Sequence, residues 1–196
     1  PEVNPQAILK HKGIIANPNC STIIMVMALK PIYDLAKIKR VIVSTYQAVS
    51  GAGKEGIDEL DAQVREHSEG REMTANILPS ASAEKHYPIA FNLIPQIDVF
   101  CDNLYTKEEM KMVNETKKIM EDYEMRITAT TIRVPVYRSH SESVNIELEK
   151  EVDLGAMREA LAKFPGVTVQ DDPSKQEYPM PLYTSEKDDV YVCLLY

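Results

Sequence analysis

The sequence has no apolar run near the ~20 residues that a helix needs to cross a bilayer. Its start, Pro1-Glu2-Val3-Asn4, has neither the basic flank nor the apolar stretch of a signal peptide. Both absences argue against a membrane. An initiator methionine is also missing, which points to a truncated piece of a longer chain. Its three cysteines, Cys20, Cys101 and Cys193, contain no CxxC pair and leave an odd thiol, so a disulfide framework is excluded and a reducing, cytoplasmic compartment is expected. Lys and Arg are scattered among acids and the formal charge is -8, which argues against nucleic acid or anionic lipid as a partner. A small anionic substrate is still allowed, because one local Arg or Lys can oppose the net field. His11, His67 and His86 have no second ligand at metal spacing, so no metal is expected. There is no internal repeat and no low-complexity tract.

What is present suffices for a real core: 196 residues, 44% of them hydrophobic, which the length prior reads as one domain over 1–196. Pro1 to His11 reads as a polar loop, and Gly13-Ile14-Ile15-Ala16 as a short buried strand. The apolar run from Ile23 to Leu29 predicts a helix that Pro31 must kink or end. Arg40 to Gln47 is β-branched and aromatic rich, a buried strand that ends in Ser50-Gly51-Ala52-Gly53. Ile57, Leu60 and Val64 predict an amphipathic helix, and Ser68 to Lys85 a long, mobile surface excursion. Tyr87 to Phe100, interrupted by Pro88 and Pro95, reads as an irregular packed connection. Thr106 with Glu109 forms a capping box ahead of a helix whose Met110, Val113, Lys117 and Met120 share one side, with Met112 also read as packing. Arg126 to Tyr137 and Ser141 to Lys150 alternate as strands, and Arg138-Ser139-His140 between them is a candidate hairpin or bulge. Asp153 caps a helix that Pro165-Gly166 stops, and Val167-Thr168-Val169 is a strand. Strands and helices mix without strict βαβ alternation, so the class is α+β.

The most informative residue is Cys20, in Asn17-Pro18-Asn19-Cys20-Ser21-Thr22, with Ser21 and Thr22 at or beside the cap. A thiol at the first turn of a helix faces unpaired N–H groups and the positive end of the helix dipole, which favour thiolate and can hold an oxyanion. A single cysteine before an apolar run is also what an inert buried thiol looks like. Taken alone, His140 could be a satisfied imidazole. Glu108 with Lys111 could be a solvated ion pair, and Ser50-Gly51-Ala52-Gly53 only a strand end and a cap. Arg133, in a strand that buries its neighbours, calls for an anionic partner, which an internal salt bridge would also supply. Cys101 and Cys193 read as core filler.

Four stretches in order resemble the aspartate-semialdehyde dehydrogenase family: Asn17-Pro18-Asn19-Cys20-Ser21-Thr22, Ser44 to Gly53, Glu108-Glu109-Met110-Lys111, and Arg133-Val134-Pro135-Val136-Tyr137-Arg138-Ser139-His140-Ser141. The resemblance runs to about Asp189. It implies a mixed, largely antiparallel sheet with helices on one face, as in the C-terminal domain of the glyceraldehyde-3-phosphate dehydrogenase type. It implies interconversion of aspartate 4-semialdehyde plus phosphate with 4-phosphoaspartate, using NADP, in the biosynthesis of lysine, threonine, methionine and isoleucine. Roles follow by matched position. Cys20 is the nucleophile and His140 the acid/base group. Gln47 orients the substrate, Arg133 grips its carboxylate, and Glu108 holds its amino end. Lys111 and Asn19 bind phosphate, while Ser50 and Gly51 touch the nicotinamide half of the cofactor.

The resemblance also implies that this is the half carrying catalysis and a homodimer interface. The glycine-rich NADP-binding domain that precedes the nucleophile in the family is missing here, as is the family's last helix. The chain instead stops at Val190-Tyr191-Val192-Cys193-Leu194-Leu195-Tyr196, either an altered tail or a strand finishing a shortened sheet. Two other readings remain open: a dimerisation module whose site residues are unused, and an acyl hydrolase built on Cys20 and His140. The second has no need of Arg133, Glu108 and Lys111.

Overall fold

A computed structural model describes residues 1–196. Helix α1 spans Cys20–Leu35, β1 Ile38–Gln47, α2 Gly53–Ser68, α3 Lys107–Met120, β2 Arg126–Arg133, β3 Ser141–Leu148, α4 Leu154–Lys163 and β4 Val167–Val169. A four-residue helix α5, Pro181–Thr184, and a final strand β5, Val190–Val192, complete the elements. The three longer strands form a sheet in the order β2-β1-β3, and β4 pairs with β5 in parallel, Val167 opposite Val190. The class is α+β, as expected. Because β1 lies between β2 and β3, Arg138-Ser139-His140 is not a hairpin. It is a crossover that turns through Ser139 at a left-handed φ of 71°.

The chain divides into two compact units. The first comprises Pro1–Ile42, Lys111–Thr128 and Val144–Tyr196. Its core joins Met27 and Ile32 of α1 to Leu161 of α4 and Val167 of β4, with Ile146 and Leu148 of β3 against it. Burying that face explains why α1 runs through Pro31 instead of ending there: the ring removes one hydrogen bond, but Leu29 and Ile32 on either side are buried. Ile14 and Ile15 form no strand and are exposed, since no ladder partner meets them, and Pro5–Lys10 winds into a short 3-10 helix rather than a loop. Asp153 caps α4, accepting from the Ala156 N–H at 3.0 Å. The apolar C-terminal stretch supplies β5. Cys193 is half-buried and not part of the core cluster; burial and the charge of Asp171 push its thiol up.

The second unit comprises Val43–Met110 and Ala129–Ser143, with Val49, Leu60, Leu78, Ile89, Ala90 and Ile94 as its core. The buried face of α2 carries Gly56, Glu59, Leu60 and Gln63, while Val64 is exposed, so the helix is rotated from the expected face. Polar side chains of α2 dictate that rotation. Gln63 Oε1 accepts from the Ile89 and Ala90 N–H groups, and Glu59 accepts from those of Asn76 and Ile77. These bonds tie down the 68–85 excursion expected to be mobile, although it has no helix or strand. The capping box is present: Thr106 N–H donates to Glu109 at 2.8 Å and Glu109 N–H to Thr106 Oγ1 at 3.3 Å. The buried positions of α3 are Glu108, Met112, Thr116 and Met120, a strict four-residue repeat, in place of the predicted side through Met110 and Val113.

Candidate active site

Within the first unit, Cys20 is the first residue of α1 and exposed. Its N-cap is Asn19, not Ser21 or Thr22: Asn19 Oδ1 accepts from the Ser21 N–H at 3.0 Å and the Thr22 N–H at 3.1 Å. With its oxygen committed to the cap, the Asn19 carboxamide presents Nδ2 on the side of the Cys20 Sγ, 4.0 Å away. The Asn19 N–H donates to Glu115 Oε2 of α3 at 2.7 Å. Lys111, one turn earlier on α3, is exposed.

Within the second unit, the structure brings together Gln47, Ser50, Gly51, Glu108, Arg133 and His140. Gln47 ends β1, and its Nε2 donates to Glu108 Oε1 at 3.2 Å, with both side chains buried. Burial of Glu108 rules out its reading as a solvated surface pair. Arg133 ends β2 and is only 3% exposed. Its Nη1 donates to the Ala48 carbonyl at 2.7 Å, while the Ala48 N–H donates to His140 Nδ1 at 2.9 Å. One peptide residue thus holds the guanidinium and the imidazole. A Cβ at Gly51 would stand 2.6 Å from Arg133 Nη1 and 3.4 Å from His140 Cε1, so a side chain there would displace the guanidinium from its place on Ala48.

Because Nδ1 accepts from Ala48, neutral His140 carries its proton on Nε2. Burial and the Arg133 charge, opposed by Glu108, hold the imidazole down to about 4. The unfolded chain therefore takes up this proton more readily than the folded one. Stability from the neutral form is present above an ordinary histidine value of 6.5 and is lost as pH falls from there toward 4. Urea midpoints at pH 7.5 and pH 5 should fall further for the wild type than for His140→Gln; equal falls would contradict this account.

The family model described as "Semialdehyde dehydrogenase, dimerisation domain" matches residues 29–195. The chain belongs to this family. As a semialdehyde dehydrogenase dimerisation domain it is 54% identical over 194 residues to the aspartate-semialdehyde dehydrogenase of Aquifex aeolicus, covering 98% of this chain and 55% of that protein. The solved aspartate semialdehyde dehydrogenase II of Vibrio cholerae is 45% identical at a TM-score of 0.90, covering 98% of this chain and 56% of that one. The same enzyme solved in complex with ASA matches at 44% identity and a TM-score of 0.86, over 95% of this chain and 53% of that one. The dimerisation domain spans about half the length of the curated relatives it matches.

Ser50 and Gly51 of the dimerisation domain do not fit a phosphate cradle. The N–H groups such a cradle needs are already engaged: Val49 to the Val136 carbonyl at 2.8 Å, Ser50 to that of Tyr137 at 3.0 Å, and Gly51 to that of Ala48 at 3.2 Å. His67 packs against the Phe91 ring, with centroids 4.6 Å apart and the planes tilted by 50°. Two contributors escaped the sequence reading. Ala48 acts through its main chain and leaves no side-chain signal. Glu115 lies four residues beyond Lys111, a helical spacing that could have flagged it. No helix is long and apolar enough to cross a membrane.

Proposed function

We propose that this chain is the catalytic and dimerisation part of an aspartate-semialdehyde dehydrogenase, converting L-aspartate 4-semialdehyde and phosphate to 4-phospho-L-aspartate, with the reverse reaction in biosynthesis. The observation that carries it is the second unit's cluster: Arg133, Glu108 and Gln47 buried together beside a neutral His140. A cation and a carboxylate buried side by side complement the two charges of a zwitterionic ligand, one for its carboxylate and one for its amino group. Arg133 presents a planar fork to the α-carboxylate, and Glu108 accepts from the amino group. Gln47 fixes the orientation of Glu108.

The Cys20 thiolate adds to the aldehyde carbon, forming a C–S bond and an alkoxide. His140 shares its Nε2 proton with that oxygen and recovers it as the carbonyl reforms. A nicotinamide cofactor, expected to be NADP held by a domain other than this one, would take the hydride, leaving a thioester on Cys20. Phosphate, met by Lys111 and the Asn19 carboxamide, then attacks the acyl carbon and Cys20 leaves as thiolate. Ser50 and Gly51 are assigned to the nicotinamide end of that cofactor by their match to the family's motif.

The deciding experiment mixes the chain with a separately expressed nucleotide-binding domain and follows NADPH formation from the semialdehyde. Phosphate-dependent NADPH formation is expected. Its absence with both halves folded would favour a non-catalytic dimerisation module, and phosphate-independent acyl release to water a hydrolase. The chain alone is expected to sediment as a homodimer.

A further inference from the structure

We infer that Glu115 is a positioning residue for Cys20, setting the reactivity of the thiol through the Asn19 cap. The inference rests on the proposed role of Cys20 as nucleophile. Glu115 is half-buried on α3, and its Oε2 takes the Asn19 N–H at 2.7 Å, the short distance of a charge-assisted bond. This bond spans 96 residues of sequence, so it is a tertiary tie and not a feature of the cap's own turn.

Its consequence passes through one residue. Asn19 stands at φ -56° and ψ 143°, and its Oδ1 serves two N–H groups of the first turn of α1. With the backbone anchored from one side and the carboxamide oxygen from the other, Asn19 has no freedom left to rotate its Nδ2 away from the Cys20 Sγ. Glu115 thereby fixes both the direction of the first-turn N–H groups and the position of the amide donor beside the sulfur. Lys111, assigned to phosphate, lies one turn away on the same rigid helix. A single element therefore carries the group that meets the second substrate and the group that aims the nucleophile.

The two ways in which a carboxylate could act on this thiol have opposite signs. As a mere negative charge, Glu115 disfavours thiolate, so removing it would speed alkylation. As a positioning acceptor it favours thiolate, so removing it would slow alkylation. The test measures iodoacetamide labelling of Cys20 by peptide mass spectrometry from pH 5.5 to 9.5, with Cys101 and Cys193 as internal references.

Glu115→Ala should slow Cys20 labelling at pH 7 by about tenfold, the scale of one charge-assisted hydrogen bond, and move its pH profile upward. Glu115→Gln, which keeps an acceptor and drops the charge, should stay within about threefold of wild type on the same scale. Glu115→Asp keeps the charge but draws the acceptor back by one methylene, and should behave like alanine, which covers the case where the alanine variant does not fold. Labelling of Cys101 and Cys193 should not change. A faster or unchanged Cys20 in both Glu115→Ala and Glu115→Asp overturns the inference, as does a glutamine variant as slow as alanine. A wild-type Cys20 no more reactive than Cys193 overturns the nucleophile reading instead.

Discussion

Cys20→Ala is expected to abolish NADPH formation in the two-part assay, by about 10⁴-fold or more, the size of loss seen when the covalent nucleophile of an enzyme is removed. The chain should remain folded. Cys20 is exposed at the first position of α1, and the cap beside it depends on Asn19 Oδ1 and Glu115, neither of which involves the thiol. Circular dichroism should therefore show a melting temperature within about two degrees of wild type, as for a surface substitution. Cys20→Ser should rescue little, because a hydroxyl ionises far less readily than a thiol and is the weaker nucleophile and leaving group. Residual phosphate-dependent turnover above about one per cent of wild type would refute covalent catalysis at this position.

Arg133→Ala should damage both stability and chemistry. The side chain is 3% exposed, and its Nη1 satisfies the buried Ala48 carbonyl at 2.7 Å. Truncation leaves that oxygen without its charged donor and opens a void, at a cost of about 2–4 kcal/mol. In a chain of this length that lowers the melting temperature by roughly 4–16 °C. In the two-part assay kcat/KM for the semialdehyde should fall about 10³-fold, mostly through KM, because a buried guanidinium–carboxylate pair is worth several kcal/mol. Arg133→Lys keeps the charge without the fork and should recover stability better than activity. A normal KM in Arg133→Ala would place the carboxylate grip elsewhere.

Much of this was legible from local chemistry. The capping box at Thr106 and Glu109, the Asp153 cap, the β-branched run of β1 and the thiol at a helix start are each dictated by a few adjacent residues, and each is found. Features requiring distant partners were not legible. Ile14 and Ile15 have strand composition, yet composition cannot supply a neighbouring strand. Pro31 breaks helices in isolation, but tertiary burial of Leu29 and Ile32 outweighs one lost hydrogen bond. On α2 and α3 the apolar periodicity located Leu60, Met112 and Met120 in the buried face but not its polar members. Gln63, Glu59 and Glu108 are buried polar residues whose partners lie on other elements or across a loop. The residues around Ser139 read equally as a hairpin or a bulge, because strand order is a property of the sheet and not of the residues joining two strands.

Ala48 holds Arg133 with its carbonyl and His140 with its N–H. Both tasks belong to the main chain, so the identity of residue 48 is constrained only by the space around its methyl group, not by the chemistry it anchors. Descendants of this sequence could exchange that side chain for another small one and keep the guanidinium and imidazole in place. One residue breaks the rule. Proline suits the φ of -62° found there, yet it would put a methylene where the donor to His140 stands. The backbone would accept it while the histidine lost its anchor, so selection at this position should be blind to most small residues and strict against proline alone.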